Sequence, residues 1–120
     1  MSQIDLTYLR KIYPTDERLL PFLKTLLTSF QDQHDAFRQA WEQRDMMMLA
    51  KTAHTMKPMA TYLNLDSFFD QMILIEQLAK SSDLKALTAH IPMATKMAEG
   101  TLRELKHAIE SIISMKNRID

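Results

Sequence analysis

The sequence has no cysteine, which rules out a disulfide framework, a thiolate metal site and a cysteine nucleophile. Glycine occurs once, as Gly100, and proline four times. A small all-β protein needs more turn residues than that, and a loop that wraps a nucleotide phosphate needs more glycine. No ATP-dependent kinase activity of its own is therefore expected. Fifteen basic side chains balance fifteen acidic ones, and neither sign forms a block, so the electrostatic footprint of a nucleic-acid or anionic-membrane partner is missing. No apolar run approaches the ~20 residues of a membrane span, and MSQIDLTYLRK lacks the basic and apolar regions of a signal peptide. A cytoplasmic location is expected, and the start at Met1 without linkers points to a free protein rather than a piece of a larger one.

What the chain does have is helical periodicity. Its 120 residues, 46% hydrophobic and 25% charged, suit one domain (1–120) with a single buried core. Leu6, Leu9 and Ile12 share one face of a short helix over about 5–12, which Pro14 stops. A second helix is predicted from about Asp16 to Arg44, capped by Thr15 or Asp16 and kinked or delayed by Pro21. Its apolar face holds Leu19, Leu23, Leu26, Phe30, Phe37 and Trp41. Asp45 caps a third helix of about 46–63, whose Met46, Leu49, Ala53, Met56 and Ala60 recur at alternating steps of three and four, the seam of a bundle helix.

Asn64 suits a left-handed helix end, and Asp66 or Ser67 can cap a fourth helix of about 67–80. After a turn at Ser81, Ser82 and Asp83, a last helix of about 84–115 carries Leu84, Leu87, Ile91, Ala94, Ala98, Leu102, Leu105, Ile109 and Ile112 on its seam. Pro92 and Gly100 weaken it. Short connections make successive helices antiparallel, so the expected fold is all-α: an up-down-up-down four-helix bundle with a short N-terminal helix.

One residue of the third helix stands apart from its seam. At ~100° per residue, His54 lies about a third of a turn around the wheel from the core positions and faces solvent. Its outward neighbours are Met47, Ala50, Lys51, Lys57, Pro58 and Thr61, mostly small residues and two cations about one helical turn away. An exposed imidazole on a rigid helix, with lysine at i+3 to meet phosphoryl oxygens, has what a phosphoryl acceptor needs, because phosphoryl transfer depends on positioning and on charge at the equatorial oxygens. Spacing alone does not separate such a residue from an ordinary solvated histidine. The other histidines, His34, His90 and His107, show no i, i+4 ligand pairing, so no metal site is predicted, and His34 with Asp35 and His107 with Glu104 or Glu110 read as ordinary helix-surface neighbours. Most of the ten methionines read as core.

The segment LAKTAHTMKPMATYLNL, residues 49–65, resembles the signature of histidine phosphotransfer domains: a small residue, the histidine, any residue, an apolar residue and lysine, here Ala53, His54, Thr55, Met56 and Lys57. The likeness extends to the leading DLTYL, to the long helix ending at Arg44 and Asp45, and to IEQLAKSSDL with Glu76, Ser82 and Asp83. Pro58 and Asn64 stand where glycine is usual. Asn64 tolerates the left-handed conformation, whereas Pro58 removes the amide that would bond the His54 carbonyl and is expected to bend the helix there.

The resemblance implies a phosphocarrier in a two-component multistep phosphorelay, phosphorylated on His54 with Lys57 supplying phosphoryl electrostatics. Met47, Ala50, Lys51, Pro58 and Thr61 would contact a response-regulator receiver or a hybrid sensor kinase. No cofactor of its own is implied, Mg²⁺ belonging to the receiver, and a monomer is expected. Two other readings remain open at this point, an unphosphorylated adaptor of the same fold and a helical interaction module outside signalling.

Overall fold

The computed structural model describes residues 4–119, with side chains as far as Asn117. It contains α1 (Thr7–Ile12), α2 (Asp16–Glu42), α3 (Met46–Tyr62), α4 (Asp66–Lys80) and α5 (Leu84–Ile119). There are no strands among the described residues. The long helices form a ring in which α3 packs on α2 and α4, and α5 packs on α4 and α2. The α2–α5 edge therefore lies opposite the α3–α4 edge. At 1.5 Å per residue the 36 residues of α5 span about 54 Å, which accounts for the molecule's long dimension of 54 Å.

The predicted seams of α2, α3 and α5 form the core together with the apolar face of α4. Leu19, Leu23, Phe30 and Phe37 of α2 meet Leu49, Ala53 and Met56 of α3, Phe68, Met72 and Ile75 of α4, and Leu87 and Leu105 of α5, all essentially inaccessible. Phe30 and Phe68 make an aromatic contact at 5.7 Å between ring centres. Ile12 and Leu84, expected on buried faces, are about half exposed at 49% and 48%. Each sits at the extremity of its helix, where the ring of neighbours no longer reaches around it.

Several boundaries differ from the sequence reading. α1 begins at Thr7, because Asp5 stays outside the helix and its Oδ1 accepts from the Thr7 amide at 2.8 Å. The Asp5 amide in turn donates to the Leu63 carbonyl at 2.9 Å, pinning the N-terminal segment onto the end of α3. Pro21 neither delays nor interrupts α2, which starts at Asp16 behind the Thr15 cap and runs through it. The carbonyl deprived of its partner is that of Glu17, an exposed residue open to water. Pro92 and Gly100 likewise leave α5 unbroken.

The three bundle turns share one construction. Arg44, Asn64 and Ser82 have φ of 54°, 58° and 54°. The amide that follows each one, of Asp45, Leu65 and Asp83, reaches back five residues to the carbonyl of Ala40, Ala60 and Leu78 at 2.8–2.9 Å. This is the Schellman closure, and it ends α2 at Glu42 rather than at Arg44. Asp45 and Asp83 also cap the next helix, accepting from Met48 and Ala86 at 3.1 Å. Neither Asp66 nor Ser67 caps α4. Leu65 holds that position, offers no side-chain bond and is buried instead.

No glycine serves these left-handed positions, so each carries a Cβ where the backbone disfavours one. Ser82→Gly should raise stability by about 1 kcal/mol, as read by urea unfolding. Arg44→Gly should gain nothing, because it removes a guanidinium stacked 3.7 Å over the Trp41 ring and bonded to the Trp41 carbonyl. A destabilised Ser82→Gly would contradict the strain assigned to these turns.

Candidate functional site

α3 touches two neighbouring helices, so its buried arc is wider than the seam and takes in Leu49, Ala50, Thr52, Ala53, Met56, Met59 and Ala60. The Thr52 hydroxyl is accommodated by donating to the Met48 and Leu49 carbonyls at 3.0 Å. Ala50, expected on the outward stripe, is buried at 7% exposure because α4 covers that flank. His54 remains on the open arc with its side chain 65% exposed.

The imidazole is not free to turn. Its Nδ1 lies 3.0 Å from Oε2 and 3.3 Å from Oε1 of Glu76, one helix away on α4. Glu76 is a buried residue on the seam that runs from Met72 through Ile75 to Ala79. Two ammonium groups converge on the same carboxylate, Lys57 at 2.8 Å from Oε1 and Lys80 at 3.1 Å from Oε2. The hydrogen bond from Lys57 pulls the Glu76 carboxyl down from its ordinary 4.5 to about 2, against the upward push of burial and with help from Lys80 and the charge of Lys57. Glu76 is thus ionised at neutral pH and can only accept, which assigns the Nδ1 proton to His54 and, in the neutral ring, leaves Nε2 as the lone-pair nitrogen.

A groove runs beside the ring between α3 and α4, lined by Met46, Met47, Ala50, Lys51, His54, Thr55, Glu76, Ala79, Lys80 and Ser82. It unites three of the five expected contact residues, Met47, Ala50 and Lys51, with His54. Pro58 and Thr61 lie outside it, exposed one and two turns further along α3. Met47 is 85% exposed, the most open large apolar side chain among the described residues. Lys57 is half-buried against Glu76 rather than extended beside the ring.

Glu76, Lys80 and Met46 are not assigned to the site by the sequence, which marks Glu76 only as part of the family resemblance and Met46 as a seam residue. A carboxylate standing on an apolar seam, with lysine at i+4, was the available signal for Glu76 and Lys80. His34 was misplaced as a surface residue and is buried, with 2% exposure. It follows Phe30 by four residues and precedes Phe37 by three, which puts it on the α2 seam. α3 passes through Pro58 without a break and ends at Tyr62, although proline leaves the His54 carbonyl without its i+4 amide.

A depressed carboxyl stabilises the fold above its unfolded pKa and ceases to do so as it protonates. The Glu76 contribution should be complete above about pH 4.5 and disappear as the pH falls toward 2. Glu76→Gln should accordingly be less stable than the parent at pH 7 and should converge with it near pH 2, in urea titrations across that range. Parallel curves would remove the Glu76 cluster from the stability balance. Pro58→Ala restores an amide inside a continuous helix and should stabilise the domain by about 1–3 kcal/mol. A lowered thermal midpoint would show that the helix depends on the ring.

The chain matches the family model described as Hpt domain over residues 21–115. No curated protein and no solved structure gives a significant match. The matched span holds α3, α4, most of α2 and α5, and every member of the His54–Glu76 cluster. The chain belongs to the Hpt domain family, the histidine phosphotransfer domains of phosphorelay signalling.

Proposed function

We propose that His54 carries the phosphoryl group, on Nε2, between the aspartates of receiver domains in a multistep relay. The observation that supports this most directly is the 3.0 Å contact of Nδ1 with Glu76, which fixes the tautomer and turns the unprotonated nitrogen outward. In the accepting step the Nε2 lone pair attacks the phosphorus of a receiver's aspartyl phosphate. The N–P bond forms, the P–O bond breaks, and the aspartate leaves as a carboxylate with the electron pair.

Positive charge develops on the imidazole as Nε2 attacks. Glu76, already bonded through Nδ1–H, stabilises that charge without taking the proton, the role a buried carboxylate plays behind other catalytic histidines. Lys57 and Lys80 hold Glu76 ionised and offset its charge near an incoming phosphoryl group. In this reading Lys57 supplies phosphoryl electrostatics chiefly through Glu76, not as a free cation at i+3. Mg²⁺ belongs to the receiver, where it would offset phosphoryl charge. No three His, Asp or Glu side chains gather as a metal site among the described residues.

The partner would dock over the α3–α4 groove. Met46, Met47, Ala50 and Ala79 supply its apolar floor and Lys51 a peripheral cation, with Pro58 and Thr61 extending the contact past His54. The module would act as a cytoplasmic monomer facing receivers and hybrid sensor kinases. No helix among the described residues is long and apolar enough to cross a membrane.

The test is incubation with receivers phosphorylated by a small phosphodonor, followed through an acid-labile, base-stable label. His54→Gln should lose all acceptance while keeping its thermal midpoint within the ~0.5 kcal/mol usual for an exposed substitution. Glu76→Gln should slow transfer about tenfold to a hundredfold, and Lys57→Ala should slow it less. Label retained by His54→Gln would sink the assignment.

A further inference from the structure

On the α2–α5 edge, across the ring from His54, a second concavity of about 220 Å³ is lined by Gln31, His34 and Arg38 of α2 and by Glu99, Arg103 and Lys106 of α5. The residues share one face of each helix, spaced by three or four. Glu99 is the sole carboxylate in the lining, against three cations. None of those cations forms an ion pair among the described residues.

His34 adds an observation that charge alone would not. The residue is 2% exposed, and neither ring nitrogen, Nδ1 nor Nε2, has a hydrogen-bond partner. Whichever tautomer is present, one of those nitrogens carries a proton and requires an acceptor. Buried polar atoms left unpaired in a folded protein generally mark a bound water or ion. Burial, reinforced by Arg38, lowers the basicity of the ring against the smaller opposing pull of Glu99 and Asp35. The imidazole is therefore held neutral in the lining of a cationic concavity.

We propose that this concavity is a binding site for a small phosphate-type oxyanion, with Arg38, Arg103 and Lys106 around the anion and the His34 N–H donating to it. A single water would satisfy one ring nitrogen but would leave three cations in the lining against the one carboxylate of Glu99. The volume falls below the ~300–1,000 Å³ of sites for drug-sized ligands, which fits an ion or a small monoester better than a nucleotide. The site is independent of the His54 assignment, since it lies on the opposite edge and shares no residue with that groove.

The experiment is a titration with inorganic phosphate at constant ionic strength, read from the imidazole NMR signals of all four histidines. The His34 signals should shift saturably and its titration should move to higher pH as the anion binds. Arg38→Gln and Lys106→Gln should each weaken binding about tenfold, the usual scale for losing one charge-assisted bond. Glu99→Gln should tighten it, and His54→Gln should leave it unchanged. Glycerol 3-phosphate tested alongside separates the sources: tighter binding than phosphate assigns a monoester, weaker binding assigns the free ion, and either supports the site. Three results would overturn it: no saturable change at His34, the same change with chloride, or a change confined to His54.

Discussion

A single carboxylate organises the reactive edge of this bundle. Glu76 is buried, yet it receives three donors, one from the His54 ring and two from lysine ammonium groups. An isolated buried carboxylate would be expelled or protonated. Here the cations keep it charged, and the charge fixes a histidine that would otherwise rotate freely on an exposed helix face. Each member has its place because of the others: remove the lysines and the carboxyl loses the bonds that hold its pKa down, remove the carboxylate and the ring loses its orientation. The second ammonium, Lys80, sits one turn along the same helix, so α4 supplies both the acceptor and part of its compensation.

The same economy of parts governs the scaffold. Three turns with one hydrogen-bond pattern reverse the chain without glycine, and each places its helices close enough for the seams to interlock. Long connections would leave α3 and α4 free to slide, and a contact of 3.0 Å between side chains on two helices does not survive a shift of one residue, 1.5 Å along the axis. The precision of the site is thus set partly by the Asn64 turn at the end of α3, whose amide side chain also bonds Asp5 at 3.1 Å.

Much of this is legible in the sequence alone. The alternating three- and four-residue steps along α3 gave the helix, its buried side and the outward place of His54. Thr15, Asp45 and Asn64 marked helix ends by the chemistry of their side chains. What escaped depended on neighbours, which a single helix cannot reveal. Ala50 lies off the seam of α3 and is buried because α4 covers it. Glu76 lies on a seam where a charge should not be, and its justification comes from Lys57 on another helix. His34 reads as a surface residue beside Asp35, although its spacing from Phe30 and Phe37 places it inside. In each case the helical periodicity held, and what it left out was the surroundings that a neighbouring helix supplies.

The reactive cluster is drawn entirely from α3 and α4, and His54 and Glu76 are only 22 residues apart in the chain. It is therefore contained in one helical hairpin closed by one three-residue turn. Proteins open in cooperative pieces, and helix ends fray first. The last turns of α5 extend past α4 and contribute nothing to the cluster. Thermal fraying of that end, or loosening of α1, leaves the imidazole tethered and aimed. The chemistry is insulated from the least stable parts of the fold by where its residues fall along the chain.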